Sequence, residues 1–270
     1  MQATHESNSS KDTALFKKRG VFPASQNDKL GVLLLHGFTS SLACVQDIIP
    51  RLEAMNIPYE MPVLRGHNTT PDDLIGVKAQ DWYEDALKAL GVLCDRVDHV
   101  VIIGLSMGGL VALNLCALAH PYHDKICACV TWAAALGFVN KLAWLSKPLS
   151  VFVKTWSGQD SFRDDECRKK NQNYKTFPTK AFVELYDYAA KTRLLLADVK
   201  VPLCIIHSKL DQVVPYASSR MLFEKAGSSY CEHYSLQKSG HELGQDCEAD
   251  KVFDITCDFI DRIRNGKSEK

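Results

Sequence analysis

Short apolar runs alternate along this chain with segments whose apolar residues recur every three or four positions. Residues 30–35, 100–105, 126–132 and 201–207 are near-continuous apolar runs of strand length. Such runs suit strands buried on both faces of a parallel sheet. Residues 57–64 form a similar run broken by Pro58 and Pro62, which predicts an irregular or edge strand. Residues 230–236 read as a last strand. Between the strands, Val45, Ile48, Ile49 and Leu52 mark one helix face, and Trp82, Ala86, Leu90, Leu93 and Val97 mark the clearest amphipathic helix. Residues 217–225 are helical in pattern, and a closing helix carries Val252, Ile255, Phe259 and Ile263 on one stripe. The alternation predicts an α/β fold, a mostly parallel central sheet with helices on both faces.

The alternation breaks over residues 136–198. Phe138, Leu142, Trp144, Leu145, Leu149, Phe152, Val153 and Trp156 form an apolar, aromatic stretch. A polar stretch over 157–179 follows, then a helical pattern over 181–196. This region reads as a cap inserted over the carboxyl edge of the sheet. Two ordinary packing helices with a surface loop are the plainer alternative. The chain then divides into a mobile N-terminal arm (1–28), a core (29–135 and 199–270) and the cap (136–198). No internal repeat interrupts this order.

One junction carries more than packing. The run that begins at Val100 meets Gly104-Leu105-Ser106-Met107-Gly108-Gly109 and continues as the apolar helical run 110–115. A strand that turns sharply into a helix, with a serine at the turn, is a nucleophile elbow. So tight a turn predicts strained backbone at Ser106. It also brings positions 104 and 108 too close together to carry side chains, and both are glycine. The helix from Met107 then points its free N–H groups and positive dipole end at any negative charge that forms beside the serine. A glycine-rich turn without chemistry is the alternative, so the rest of the chain has to supply a base, a carboxylate and a second oxyanion donor.

Candidates for these roles follow successive strands. His36-Gly37-Phe38 follows the first clear strand, Asp211 the strand from 201, and His241 the last. In a parallel sheet these positions share one edge with Ser106. Ser…Asp…His is the order expected with a nucleophile elbow. His241 is the base that takes the Ser106 proton, and Asp211 holds its imidazole in the right tautomer. The backbone N–H groups of Met107 and Phe38 are the oxyanion donors. Asp198, Asp246 and Glu242 are weaker rivals to Asp211; Asp198 follows no strand. His207 reads as a hydrogen-bonded core histidine, His36 as a shaper of the oxyanion loop, and His67 as structural. Polar residues over 157–173 are assigned salt bridges and no chemistry.

Composition bounds the rest. Lys and Arg number 32, as do Asp and Glu, so the formal net charge is zero. Nothing steers the chain towards nucleic acid or an acidic membrane. Residues 1–11 lack the apolar core of a signal peptide, and no apolar run is long enough to span a bilayer. The ten cysteines are scattered, without a Cys-x-x-Cys, and Cys116, Cys127, Cys129 and Cys204 sit inside apolar runs. These features predict a cytoplasmic protein with no metal site, since no Cys/His pair has finger-like spacing.

Taken together, His36-Gly37-Phe38-Thr39-Ser40-Ser41, Leu64-Arg65-Gly66-His67, the elbow, Asp211-Gln212-Val213-Val214-Pro215 and Ser239-Gly240-His241 resemble the α/β-hydrolase superfamily. Within it they are most similar to small bacterial carboxylesterases and monoacylglycerol lipases, over about residues 30–262. The resemblance implies a cofactor-free ester hydrolase with a small lid over an acyl pocket. The chain departs from that pattern at Ser208-Lys209-Leu210, where relatives often have a glycine or a second acidic residue. It also departs in its many cysteines, with Cys44 near the oxyanion loop. The expected function is a serine carboxylesterase acting on short- to medium-chain acyl esters, monoacylglycerols among them, through an acyl-enzyme on Ser106. Thioesterases and acyltransferases use the same triad, and a non-catalytic binding module on a hydrolase fold is the alternative of another class. Phe138 and Trp144 are expected to set acyl length. The oligomeric state is left open.

Overall fold

The computed structural model describes residues 15–18, by backbone, and 29–266. Its strands are β1 (Leu15–Lys18), β2 (Leu30–Leu35), β3 (Tyr59–Glu60), β4 (His99–Leu105), β5 (Ile126–Trp132), β6 (Thr155–Ser157), β7 (Thr176–Pro178), β8 (Leu203–Ser208) and β9 (Cys231–Leu236). Its helices are α1 (Ala43–Gln46), α2 (Ile49–Ala54), α3 (Ala79–Cys94), α4 (Met107–Ala117), α5 (Ser146–Leu149), α6 (Asp165–Lys169), α7 (Thr179–Leu195), α8 (Ala217–Lys225) and α9 (Ala249–Asn265). The main sheet has the order β1-β9-β8-β5-β4-β2-β3. Six of these strands are parallel, and β1 pairs with β9 antiparallel.

The continuous apolar runs are explained by burial on both faces. Side chains alternate across a strand, and both sets find a core here. Val100 and Ile102 join Leu90, Leu110 and Leu185, from α3, α4 and α7. Val101 and Ile103 join Val45, Leu52 and Phe259, from α1, α2 and α9. Two expected elements come out differently. The single helix expected around 45–52 is split into α1 and α2, because Pro50 has no N–H to donate and its ring crowds the carbonyl four residues back. The strand expected over 57–64 is reduced to the two-residue edge strand β3, flanked by Pro58 and Pro62.

The arm expected over 1–28 contains a strand, β1, which the pattern did not suggest. An antiparallel edge pairing is made by backbone groups and needs no side-chain periodicity. The remainder of 1–28 lies outside the described residues.

Between β5 and β8 the chain builds a small two-stranded sheet, β6 with β7 antiparallel, and then α7. α7 packs on α4 and buries Ala181, Leu185, Tyr188 and Ala189. The apolar stretch before β6 is not all packed. Val151 is 73% and Phe152 84% exposed, because a four-residue helix and a turn cannot turn consecutive apolar residues inward. Trp144 is 57% exposed and does not line the cavity that holds Ser106, contrary to the acyl-length role expected of it.

The chain leaves β2 for β3 on one side and returns to β4 on the other. The loops after β2 and β4 therefore part at a switch point, where open α/β sheets hold ligands. Phe38 follows β2 and Ser106 follows β4.

Candidate active site

Ser106 has φ 54° and ψ −111°, a left-handed conformation that costs a non-glycine residue about 1–3 kcal/mol. Two hydrogen bonds pin it there. Its N–H donates to the Trp132 carbonyl at 2.9 Å, and its carbonyl accepts from the Ala135 N–H at 3.1 Å. The flanking glycines serve different contacts. A Cβ on Gly104 would lie 2.3 Å from the Gly108 carbonyl oxygen, whereas one on Gly108 would lie 2.2 Å from that of Leu35. Gly108 thus lets the end of β2 close against the elbow.

The carboxylate of Asp211, after β8, is fully buried and accepts four hydrogen bonds. Its Oδ1 takes the Val213 and Val214 N–H groups, both at 2.8 Å. Its Oδ2 faces His241 Nδ1 at 2.8 Å and His207 Nε2 at 3.1 Å. Burial alone raises the pKa of this carboxyl. The two imidazoles outweigh burial and hold it well below the usual carboxylate range. With Asp211 ionised, Nδ1 of His241 carries the proton, and the Nε2 lone pair is free for a hydroxyl. Burial pulls the His241 pKa down, but the Asp211 charge, with Glu242 adding to it, raises it overall. His207 Nε2 also faces the Val214 carbonyl at 3.1 Å, which can only accept, so this nitrogen bears hydrogen and donates to Asp211 too. His207 is a core histidine as expected, and it is also a holder of Asp211, which its place in the sequence did not show.

The departure at Ser208-Lys209-Leu210 has a structural use. The Ser208 hydroxyl donates to the Ser239 carbonyl and accepts from the Leu210 N–H. It ties the Asp211 loop to the His241 loop.

Phe38 lies on the turn after β2. His36 donates from Nδ1 to the Gly37 carbonyl at 2.9 Å and accepts at Nε2 from the Leu64 N–H at 3.0 Å. Both ring nitrogens are spent on backbone, and burial lowers the pKa to about 4, so His36 is a loop brace. His67 packs edge-on to Phe38 and stacks on Tyr174. The bend itself is at Thr39, with φ 63°. Gly37 has ordinary backbone, and a Cβ there would sit 3.5 Å from Ser106 Cβ. The Met107 N–H, in the first turn of α4, has no intrahelical acceptor. Cys44 is buried nearby, and burial pushes its thiol up, away from thiolate chemistry.

The polar stretch given only salt bridges binds the site loops. The Ser161 carbonyl accepts from the His241 N–H at 2.7 Å and the Glu242 N–H at 3.2 Å. Asp246 accepts from the backbone of Gly240, Arg163 and Asp164 at 2.6, 2.8 and 3.0 Å. That explains Asp246 as a clasp rather than a partner of the imidazole. The Tyr174 N–H donates to the Thr39 carbonyl at 2.9 Å. Asp198 is exposed on the turn before β8, at the opposite edge of the sheet.

Ser106 and His241 line one cavity of about 290 Å³. Phe38, Phe138, Trp156, Phe177, Phe182 and Val213 form much of its wall, and the aromatic rings touch one another. Thr39, Ser40, Ser161, Asn173 and Glu242 supply polar lining.

A parallel sheet with a serine elbow after β4, and with Asp and His loops after β8 and β9, defines an α/β-hydrolase. The profile of the family described as serine aminopeptidase, S33, matches residues 26–248, and the chain belongs to that family. It is similar to the thermostable monoacylglycerol lipase of Bacillus sp. (strain H-257), with 26% identity over 87% of this chain and 92% of the relative. It is 21% identical to a carboxylesterase of Bacillus subtilis (strain 168), over 86% of this chain and 92% of that one. Among solved structures, one from the pair of metagenome-derived lipolytic enzymes LipS and LipT superposes with a TM-score of 0.79. It has 24% identity and covers 92% of this chain and 97% of that chain.

Proposed function

We propose that the protein is a serine carboxylesterase that hydrolyses short- to medium-chain acyl esters, monoacylglycerols among them, through an acyl-enzyme on Ser106. One observation carries this reading: the strained Ser106 and the Asp211-paired His241 line the same cavity, one part of whose wall is aromatic. A volume of about 290 Å³ is at the small end for ligand sites, which supports short acyl chains. The names of the two Bacillus relatives support an ester substrate.

In this reading the steps are as follows. The Ser106 Oγ attacks the ester carbonyl carbon while His241 Nε2 takes the hydroxyl proton. The carbonyl oxygen becomes an oxyanion, met by the Met107 and Phe38 N–H groups. Asp211 stabilises the imidazolium without taking its proton. His241 gives the proton to the alcohol oxygen as the C–O bond breaks. Water then attacks the acyl-enzyme, passing a proton to His241, and the acid leaves as Ser106 regains its hydrogen.

In this reading the core is 29–135 with 199–270, and 136–198 is the cap, whose α7 also covers the sheet. The cysteines at 116, 129 and 204 are buried as small apolar residues, which supports a reducing, cytoplasmic setting. Among the described residues no helix is long and apolar enough to cross a membrane. Equal numbers of acidic and basic residues support a small-molecule substrate over nucleic acid.

A fluorophosphonate probe and a kinetic screen of p-nitrophenyl esters, monoacylglycerols, acyl-CoA thioesters and aminoacyl amides test the assignment. Labelling of wild type but not of Ser106→Ala, with esters turned over best, is expected. An unlabelled wild type points to a binding module, and preference for acyl-CoA points to a thioesterase.

A further inference from the structure

We propose that Glu242 recognises the leaving alcohol, accepting a hydrogen bond from a hydroxyl or ammonium group that the alcohol carries beyond its ester oxygen. The preferred substrates are then esters of diols, polyols or amino alcohols. The inference rests on the ester-hydrolase reading above and adds a specificity group to it.

The placement follows from proton transfer. His241 has to return its proton to the departing oxygen, so the alcohol lies on the His241 side of the cavity. The next residue in the chain is Glu242, and it lines the same cavity. It is only 3% exposed. The Asn173 side-chain amide donates to its Oε1 at 2.7 Å, which sets the carboxyl group's orientation. Among the described residues its buried Oε2 makes no hydrogen bond of good geometry, and the one side-chain donor besides Asn173 at this carboxyl group is the Ser161 hydroxyl. Among the described residues no lysine or arginine pairs with it, whereas Asp160, another carboxylate of the cavity, is held by Arg168 at 3.0 Å.

A buried carboxyl group short of well-aligned donors is costly, and a ligand that brings a further donor lowers the cost. A plain alkyl alcohol leaves it unmet. Discrimination of this kind is strong because the penalty falls on the site's own unpaired group. The aromatic wall offers hydrocarbon contact and suits the acyl chain; the polar lining around Glu242, from Ser161 and Asn173, suits the alcohol. Burial, with the Asp211 charge, raises the Glu242 pKa, opposed by His241 and by hydrogen bonds from the Asn173 and Ser161 side chains. The ionised form favours an ammonium, and either form can accept from a hydroxyl.

The test compares kcat/KM for one acyl group on four alcohols. These are 2-hydroxyethanol, 2-(dimethylamino)ethanol (an N–H cation at neutral pH), choline (a cation without that donor) and n-propanol. Wild type is expected to favour the hydroxyethyl or dimethylaminoethyl ester over the propyl ester by roughly 10-fold or more. In Glu242→Leu the preference should fall to about one. Glu242→Gln, which keeps the shape, should lose preference for the cation and retain part of that for the hydroxyl. Asn173→Ala removes the tether to Oε1 and should leave the sign of the preference intact. A wild type that does not distinguish the donor esters from the propyl ester overturns the proposal. So does a preference unchanged in both Glu242 variants, or a choline ester taken as well as the dimethylaminoethyl ester. Propyl-ester turnover and fluorophosphonate labelling are read in the same samples; loss of both in wild type refutes the ester-hydrolase reading instead.

Discussion

Ser161 and His241 are joined by a 2.7 Å hydrogen bond from the histidine N–H to the serine carbonyl. The bond runs from the loop after β9 to the segment between β6 and β7, so on the proposed reading the base is held partly by the cap. Gly240 makes the approach possible, since a Cβ there would fall 2.4 Å from the same carbonyl oxygen. Gly240→Ala should therefore push the His241 loop off Ser161. A misplacement of about 1 Å costs on the order of 10²-fold in rate. The expected result is a fall of that size in kcat for p-nitrophenyl butyrate, with the protein still folded by circular dichroism. A rate within about threefold of wild type, the fold being intact, would show the loop to be held by other contacts.

Ser106→Ala and His241→Ala should each lower ester-hydrolysis kcat by at least about 10⁴-fold, by analogy with other triads. Both positions lie on the cavity and not in the packed core, so melting temperatures should stay close to wild type. Near-normal turnover in either variant removes that residue from the mechanism.

The pH profile follows from the His241–Asp211 pair. A protonated imidazole cannot accept the Ser106 proton, so activity is present above the His241 pKa and lost as pH falls through it. The Asp211 charge overcomes burial and raises that pKa. The acid limb of kcat/KM should thus have its midpoint above the ordinary histidine value near 6.5. Asp211→Asn removes the charge and should shift any residual acid limb downward, with a rate loss of about 10⁴-fold from the wrong tautomer. A midpoint clearly below 6 in wild type would contradict the arrangement.

Phe138 and Trp144 should separate cleanly. Phe138 lines the cavity against Phe182, whereas Trp144 stands on the outer surface. In a series of p-nitrophenyl esters in solution, Phe138→Ala should move the optimum to longer acyl chains. Trp144→Ala should leave the profile where it is. The opposite pattern would place the acyl pocket elsewhere.

His207 offers a test of how Asp211 is held. His207→Ala removes one donor and leaves a void in the core near the end of β8, at a cost of about 1–3 kcal/mol measured by urea unfolding. With one donor fewer, Asp211 binds the His241 proton more strongly, and the acid limb should move up in pH. A stability loss with an unmoved acid limb would make His207 a packing residue only.

By itself, the sequence determined the parallel sheet, the elbow and the positions at which site residues fall. These are local signals. Strand runs such as 100–105 carry their own burial pattern, and Gly104 and Ser106 record a steric demand within one turn, whereas Gly108 answers to the approach of Leu35 at the end of β2. Placing Phe38, Asp211 and His241 after strands needed only the rule that parallel strands share a carboxyl edge. Pro50 was equally visible, and its break between α1 and α2 shows apolar spacing yielding to a missing N–H. Tertiary structure alone decided which groups the segment 136–198 touches. The contacts of Asp246 with Arg163 and of Asn173 with Glu242 join residues 83 and 69 positions apart. A polar segment with no periodicity does not announce which buried backbone groups it will satisfy. The same is true of Trp144, because whether an aromatic faces the pocket or the solvent depends on how a short irregular segment crosses the sheet's edge. Hydrogen-bond demand is met by whichever groups the fold brings near, and that is settled in three dimensions.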